Sequence, residues 1–287
     1  MLLIRTEKLT HIYSADTPFE RTAIHDIDFS VEKGEYLGII GHTGSGKSTF
    51  IQHLNGLLKP TAGHVYYDGN DIHRSKDFRR RLRFKVGLVF QYPEYQLFES
   101  TVYEDIAFGP KNMGLTDSEI RERVYEAAGF TSIDESLLDK SPFELSGGQK
   151  RRAAIAGVVA MRPEVLVLDE PTAGLDPRGR DEIIANILNY KSAHDATIIM
   201  VTHSMEEIAR TVDRIVLFEK GCAAAEGTPG EMFSQDEKLA AMGLAAPKAT
   251  LIASRLRSLG LPLNHDIYTI DQLRKALLEL RGGFAHA

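Results

Sequence analysis

The chain of 287 residues has a single cysteine, Cys222. An intrachain disulfide framework and a thiolate zinc cluster are thereby excluded, and a reducing compartment is expected. Long apolar runs are absent as well. A membrane span needs about 18 apolar residues, and the longest candidate, Ala153 to Met161, is about half that. The N-terminus, Met-Leu-Leu-Ile-Arg-Thr-Glu, has no basic stretch leading into an apolar core, so no secretory signal is expected. An excess of positive charge is also missing. Thirty-four Lys and Arg stand against forty Asp and Glu, a net charge of −6, which argues against a dedicated nucleic-acid binder. The ten histidines form no HExxH pair or other metal spacing. No internal repeat or low-complexity segment is present, which excludes a solenoid. What remains is 43% hydrophobic and 26% charged, the composition of a folded globular protein with one large domain or two modest ones.

Hydrophobic patterning predicts an α/β protein. Leu2 to Ile12 has β-compatible periodicity, Ser14 to Arg21 is a polar loop, and Ile24 to Val31 alternates strictly, as a half-buried strand does. Tyr36 to Ile40 is a short apolar run, typical of a strand buried on both faces. It leads through a glycine-rich stretch into a helical segment, Ser48 to Leu57. Val165 to Leu168 and Thr197 to Val201 are two more buried strands followed by helical patterns, which together imply a parallel sheet. Ahead of these two strands, in the middle of the chain, lie helices at Asp117 to Gly129 and Ser146 to Met161, a helical insertion placed at about residues 92 to 160. After Gly227-Thr228-Pro229 the composition changes to short helices, with stripes at Ile252, Leu256, Leu259 and at Leu273, Leu277, Leu280. The expected division is 1–228 for the main domain and 229–287 for a small helical appendage.

The chemistry is concentrated in two places. Gly41-His42-Thr43-Gly44-Ser45-Gly46-Lys47-Ser48 fits the P-loop pattern and sits between a buried strand and a helix, with Thr49 next on that helix. Glycines let successive backbone N–H groups face one phosphate chain, Lys47 reaches the β- and γ-phosphates, and the Ser48 hydroxyl suits Mg²⁺. ATP and Mg²⁺ are the ligands this implies. At the end of a second buried strand, Asp169 suits the Mg²⁺ shell and Glu170 suits a base for the attacking water. An Asp-Glu pair after a strand can also be a mere helix cap; the P-loop upstream favours the catalytic reading. A basic run, Arg79 to Lys85, could meet anionic lipid, although such runs are more often solvated faces.

Leu145-Ser146-Gly147-Gly148-Gln149, followed by Lys150-Arg151-Arg152 and lying shortly before Asp169, resembles the signature motif of the ABC ATPases. A Ser hydroxyl and glycine N–H groups at a helix start make a second anion site. The resemblance implies the ABC fold, a RecA-like core with an antiparallel β subdomain and a helical subdomain. It implies roles for further residues: Gln91 as the Q-loop, touching metal and attacking water; Asp176 as the D-loop; His203 as the switch histidine; Tyr13 as the aromatic stacked on adenine. Alone, Tyr13 would read as an edge-strand core residue. In that family two cassettes pair head to tail, each signature motif closing over the partner's P-loop.

Phe90 to Phe98, with Thr101-Val102, Ile106 to Asn112 and Ile155 to Val158, is similar to the energy-coupling factor (ECF) transporter ATPases, most of all the second of their two paired ATPases. Ala153 stands where that family commonly has Val. The resemblance implies a motor subunit of a membrane importer for vitamins or metal ions, peripheral on the cytoplasmic face of the cell membrane. It pairs with a second, paralogous ATPase and drives a transmembrane coupling protein, with a substrate-binding membrane protein reached indirectly and no nucleic acid. The appendage is then a dimerisation element, or simply packs on its own domain. Two alternatives are an ordinary ABC importer ATPase and, less well matched, an ABC ATPase acting on DNA or the ribosome. The latter members carry long coiled-coil or zinc insertions, or two cassettes, and neither feature is present.

Overall fold

A computed structural model describes residues 1–234, 239–240 and 242–284, with side chains to residue 280. The expected appendage therefore falls partly outside the described residues, at 235–238, 241 and 285–287.

Strands β1 (Leu2–Tyr13), β2 (Arg21–Glu32), β4 (Ala62–Tyr67) and β5 (Asn70–Asp71) form an antiparallel sheet in the order β2-β1-β4-β5. A second sheet has the order β10-β9-β3-β8-β7-β6, from β3 (Tyr36–Gly41), β6 (Val86–Val89), β7 (Val165–Asp169), β8 (Thr197–Val201), β9 (Arg214–Glu219) and β10 (Cys222–Gly227). Its pairings are parallel except the edge pair β9–β10. Every residue of β3, β6, β7 and β8 is buried, because both faces of this sheet are covered. Alternation then divides each strand between two cores. Leu37, Ile39, Val165, Val167, Ile199 and Val201 face the antiparallel sheet and helix α1 (Lys47–Leu54). Tyr36, Ile40, Leu166, Leu168, Ile198 and Met200 face the other way. Gly38 shares that second face, where a Cβ would lie 2.5 Å from Ile208 Cδ1, so a side chain there would force Ile208 of helix α7 (Met205–Thr211) to move.

The second core also receives the helical insertion. Helix α2 (Lys76–Lys85) precedes β6, and α3 (Val102–Asn112), α4 (Asp117–Phe130) and α5 (Gly147–Val159) follow it. Ile106, Ile120, Val124, Ala153 and Ala156 are buried together there. Helix α6 (Pro177–His194) then returns the chain to β8. The basic run forms α2, in which Arg83 donates to the Gly56 carbonyl at 3.2 Å and Lys85 pairs with Glu164.

The chain beyond β10 first packs back on the large core. Helix α8 (Pro229–Phe233) begins at a capping box on Thr228, and Met232, Phe233, Leu239, Leu244 and Ala246 join the large core. A small core of its own forms further on, where Ala249, Ala253, Leu263, Ile267 and Leu273 are buried with Leu256, Leu277 and Leu280 against them. On helix Lys248–Ser258 the buried face therefore runs through Ala249 and Ala253, not through the expected Ile252 and Leu259, which are 46% and 66% exposed.

One buried polar group has a consequence for stability. His53 on α1 is fully buried, neither ring nitrogen has a partner, and its ring lies 4.7 Å from that of His11, edge to face. Burial, aided by His11 and His73, pushes its pKa down to about 3. The folded state thus holds neutral imidazole while the unfolded chain takes up a proton below about pH 6.5. The stability is complete above that pH and is lost on acidification toward about pH 3, by up to about 1.4 kcal/mol per pH unit. Urea unfolding of wild type and His53→Leu between pH 7.5 and 5 should show the wild type losing more; equal losses would contradict it.

Candidate nucleotide site

Four parallel strands, adjacent in the order β3-β8-β7-β6, deliver the candidate residues from their C-terminal ends, where open α/β sheets bind ligands. The P-loop follows β3, His203 follows β8, Glu170 follows β7 and Gln91 follows β6. Parallel pairing is what brings together residues so distant in sequence.

Glycine is required in the loop at two points. Gly41 has φ +145° and a Cβ there would lie 2.2 Å from the Phe218 carbonyl oxygen. Gly46, at the start of α1, has φ +101° and its Cβ would lie 2.7 Å from the Ala23 carbonyl oxygen. Any side chain would push the loop off β2 and β9. Lys47, 6% exposed, donates from Nζ to the carbonyls of Gly41 and His42 at 2.6 and 2.8 Å, so the ammonium lies across its own loop. Burial pushes its pKa down, opposed by the charges of Glu170 and Asp169. His42 is hydrogen-bonded through Nε2 to the Met242 carbonyl.

Glu170, with φ +50°, sits between two partners. Oε1 lies 2.6 Å from His203 Nε2, and Oε2 accepts from Gln91 Nε2 at 2.8 Å. Asp169 lies one residue deeper, 6% exposed. Burial raises its pKa, while a hydrogen bond from the Ser48 hydroxyl and the charge of Lys47 oppose the rise.

A cavity of about 440 Å³ gathers Tyr13, Thr43, Gly44, Gly46, Lys47, Ser48, Thr49, Gln91, Glu170 and His203. Gly41, His42 and Ser45 complete the loop outside its lining, and Asp169 stands behind Ser48. Tyr13 is at the end of β1, 40% exposed, with its hydroxyl 3.2 Å from Thr49 Oγ1; it is an open wall of the cavity rather than a core residue. Arg21, Thr22 and Ala23 at the start of β2 also line the cavity. Sequence reading missed these three, since nothing in Arg-Thr-Ala marks a ligand wall until β1 and β2 are paired.

The structure does not bring every candidate to this cavity. Ser146 caps α5, its hydroxyl accepting from the Gln149 backbone N–H at 3.4 Å while Gln149 Oε1 accepts from the Ser146 N–H at 2.9 Å. Gly147 and Gly148 follow with open space beside them, apart from Arg152 Nη1 3.8 Å from a Cβ at Gly148. Asp176 caps α6, accepting from the Gly179 N–H at 2.7 Å. None of Ser146, Gly147, Gly148, Gln149 and Asp176 lines the cavity.

A P-loop at an inner strand of a mostly parallel sheet, a carboxylate pair two strands along, an antiparallel sheet on one side and a helical insertion on the other define an ABC-type ATPase. The ABC transporter family profile matches residues 24–173. The energy-coupling factor transporter ATP-binding protein EcfA2 of Caldanaerobacter subterraneus subsp. tengcongensis is 52% identical over 97% of this chain and 98% of its own length. That of Clostridium tetani is 51% identical over 96% of each. The chain belongs to the ECF transporter ATP-binding proteins of the ABC family. Among solved structures it is similar to cbiO1 from Clostridium perfringens, part of the ABC transporter complex cbiONQ, with TM-score 0.75, 39% identity and 90% and 98% of the two chains covered. The bacterial ABC transporter cassette MJ0796, solved as a dimer, has TM-score 0.71 and 28% identity, covering 79% of this chain and 99% of that one. Among the described residues no helix is long and apolar enough to cross a membrane.

Proposed function

We propose that this chain is the motor of an ECF-type importer, hydrolysing ATP at a head-to-tail interface with a second, paralogous ATPase and driving a transmembrane coupling protein from the cytoplasmic face of the membrane. The observation that carries the reading is Glu170, held between Gln91 and His203 at the mouth of the P-loop cavity. A carboxylate fixed by two partners is oriented to take a proton from a water aimed at a γ-phosphate over the loop. His203 keeps that carboxylate in place, and Gln91 carries the contact toward the helical insertion. Tyr13 supports the adenine, while the N–H groups of residues 43–48, with Lys47, hold the phosphates.

Mg²⁺ fits the donor set. The Ser48 hydroxyl, the Asp169 carboxylate and the Gln91 amide oxygen are hard oxygen ligands, and the buried Asp169, its pKa raised by desolvation, is a carboxylate that a cation would stabilise. When bound, the ion would neutralise charge on the β- and γ-phosphates.

In this reading Ser146, Gly147, Gly148 and Gln149 serve nucleotide held by the partner, with Asp176 beside them. Residues 1–228 form the ATPase domain, with its helical subdomain at about 92–160, and 229–287 strengthen the dimer. Exposed Leu251, Ile252, Leu259 and Leu278 support that role. The substrate-binding membrane protein is reached only through the coupling protein.

Lys47→Ala tests the nucleotide reading. Losing a charge-assisted contact worth about 1.5–3 kcal/mol should weaken ATP binding by on the order of ten- to a hundredfold. Equilibrium binding of a fluorescent ATP analogue measures it, and unchanged affinity would refute the assignment.

A further inference from the structure

Three distant stretches of the sequence meet on one guanidinium outside the nucleotide cavity. Arg151, near the start of α5, is 3% exposed. Its Nε donates to Glu94 Oε2 at 3.1 Å and its Nη2 to Glu94 Oε1 at 2.8 Å. Its Nη1 donates to the carbonyls of Pro171, at 3.4 Å, and Ala173. Glu94 belongs to a single 3₁₀ turn, Pro93–Gln96, which starts two residues after Gln91. Pro171 and Ala173 directly follow Glu170, and α5 is the helix that Ser146 caps.

The same turn and helix wall a separate, largely apolar groove of about 390 Å³. Gln96, Leu97 and Phe98 lie on one side of it and Ala153, Ala154 and Gly157 on the other. Arg151 thus ties the groove wall to the segment that follows the candidate catalytic carboxylate. A two-pronged carboxylate contact plus two carbonyl contacts needs the planar fork of arginine, and lysine cannot reproduce it. Burying such a pair gains little stability, since desolvation offsets the attraction. What the arrangement does supply is a fixed relative position.

We propose that Arg151 is a positioning residue that makes the Pro93–Gln96 turn, the start of α5 and the segment Pro171–Ala173 move as one body, so that nucleotide-driven displacement at Glu170 reaches the groove wall through Glu94. The proposal rests on the ATPase reading above. Without the guanidinium the Gln91–Glu170 contact at 2.8 Å remains, but it ends two residues before the turn, and displacement of Glu170 need not carry the turn with it.

The test uses the chain assembled with its partner ATPase and membrane coupling protein. Cys222→Ser removes the native thiol, and Tyr95→Cys, at a side chain 84% exposed on the turn, carries an environment-sensitive fluorophore. A non-hydrolysable ATP analogue should shift its emission. In the double variant Arg151→Met with Glu94→Gln no buried charge is left unpaired. Analogue affinity and melting temperature should then stay as before while the emission shift is lost. Arg151→Lys, which keeps the charge without the fork, should reduce the shift and decides the matter if the double variant does not assemble. A shift of wild-type size in these variants overturns the proposal, as does analogue binding without any shift in the unmutated protein. Failure of the unmutated protein to bind the analogue overturns the ATPase reading itself, and this proposal with it.

Discussion

Glu170→Gln should leave ATP binding intact and slow turnover of the assembled complex by about 10²-fold or more. The substitution is nearly isosteric, and φ +50° at this position is no harder for Gln than for Glu. The amide can still meet Gln91 and His203, whose distances of 2.8 and 2.6 Å define the site. The lost property is basicity: an amide cannot take the proton that the attacking water must give up. ATP should therefore accumulate unhydrolysed, and the ATPase pair should remain closed around it. Single-turnover hydrolysis in the complex, alongside equilibrium nucleotide binding, separates the two effects. Near-normal hydrolysis would remove Glu170 from its assigned role, whereas lost binding would mean that the carboxylate is structural. His203 holds the same carboxylate without itself taking the water's proton, so its loss should disturb geometry before chemistry.

How much of this was legible in the sequence varies with the length scale of the cause. Strands β3, β7 and β8 were plain as short apolar runs, because burial on both faces leaves no room for polar residues. Each ends where the expected P-loop, Asp169-Glu170 and His203 begin, so the cavity was foreseeable once the sheet was taken as parallel. The strands β4, β5, β6, β9 and β10 and the helices α2 and α3 were not. Val86-Gly87-Leu88-Val89 is very short, and α2 is dominated by Arg and Lys, with only Phe78 and Leu82 turned toward the core. At the C-terminal end, stripe counting selected Ile252 and Leu259. The chain buries Ala249 and Ala253 instead, since small residues allow the closest approach of the two helices. The cavity wall Arg21–Ala23 and the Arg151–Glu94 tie were invisible for a different reason. Each exists only because the fold brings residues far apart in sequence into contact, and no local pattern encodes it.

Gly148→Asp should abolish closure over the partner's nucleotide while leaving this chain's own ATP binding unchanged. Within the chain the substitution is tolerated: a Cβ at Gly148 meets nothing closer than Arg152 Nη1 at 3.8 Å. Gly148 also lies in the first turn of α5, where an acidic side chain is favoured by the helix dipole. The capping box between Ser146 and Gln149 does not involve it, so folding and the P-loop cavity should be untouched. The harm arises only when a second subunit presents phosphate to this helix start. A carboxylate about 4 Å from a phosphate charge costs about 4 kcal/mol at an effective dielectric of about 20, enough to reduce closure by about 10²-fold or more. The chain's own cavity does not include Ser146 to Gln149, which is why the defect should appear in trans. Mixing the Gly148→Asp chain with unmodified partner ATPase, then measuring nucleotide binding to each subunit and turnover of the pair, distinguishes the sites. Retained binding by the mutant chain with a failed partner site is the expected result. If the mutant lost its own ATP binding while the partner's site turned over normally, the signature helix would act within its own chain and the head-to-tail arrangement would be wrong.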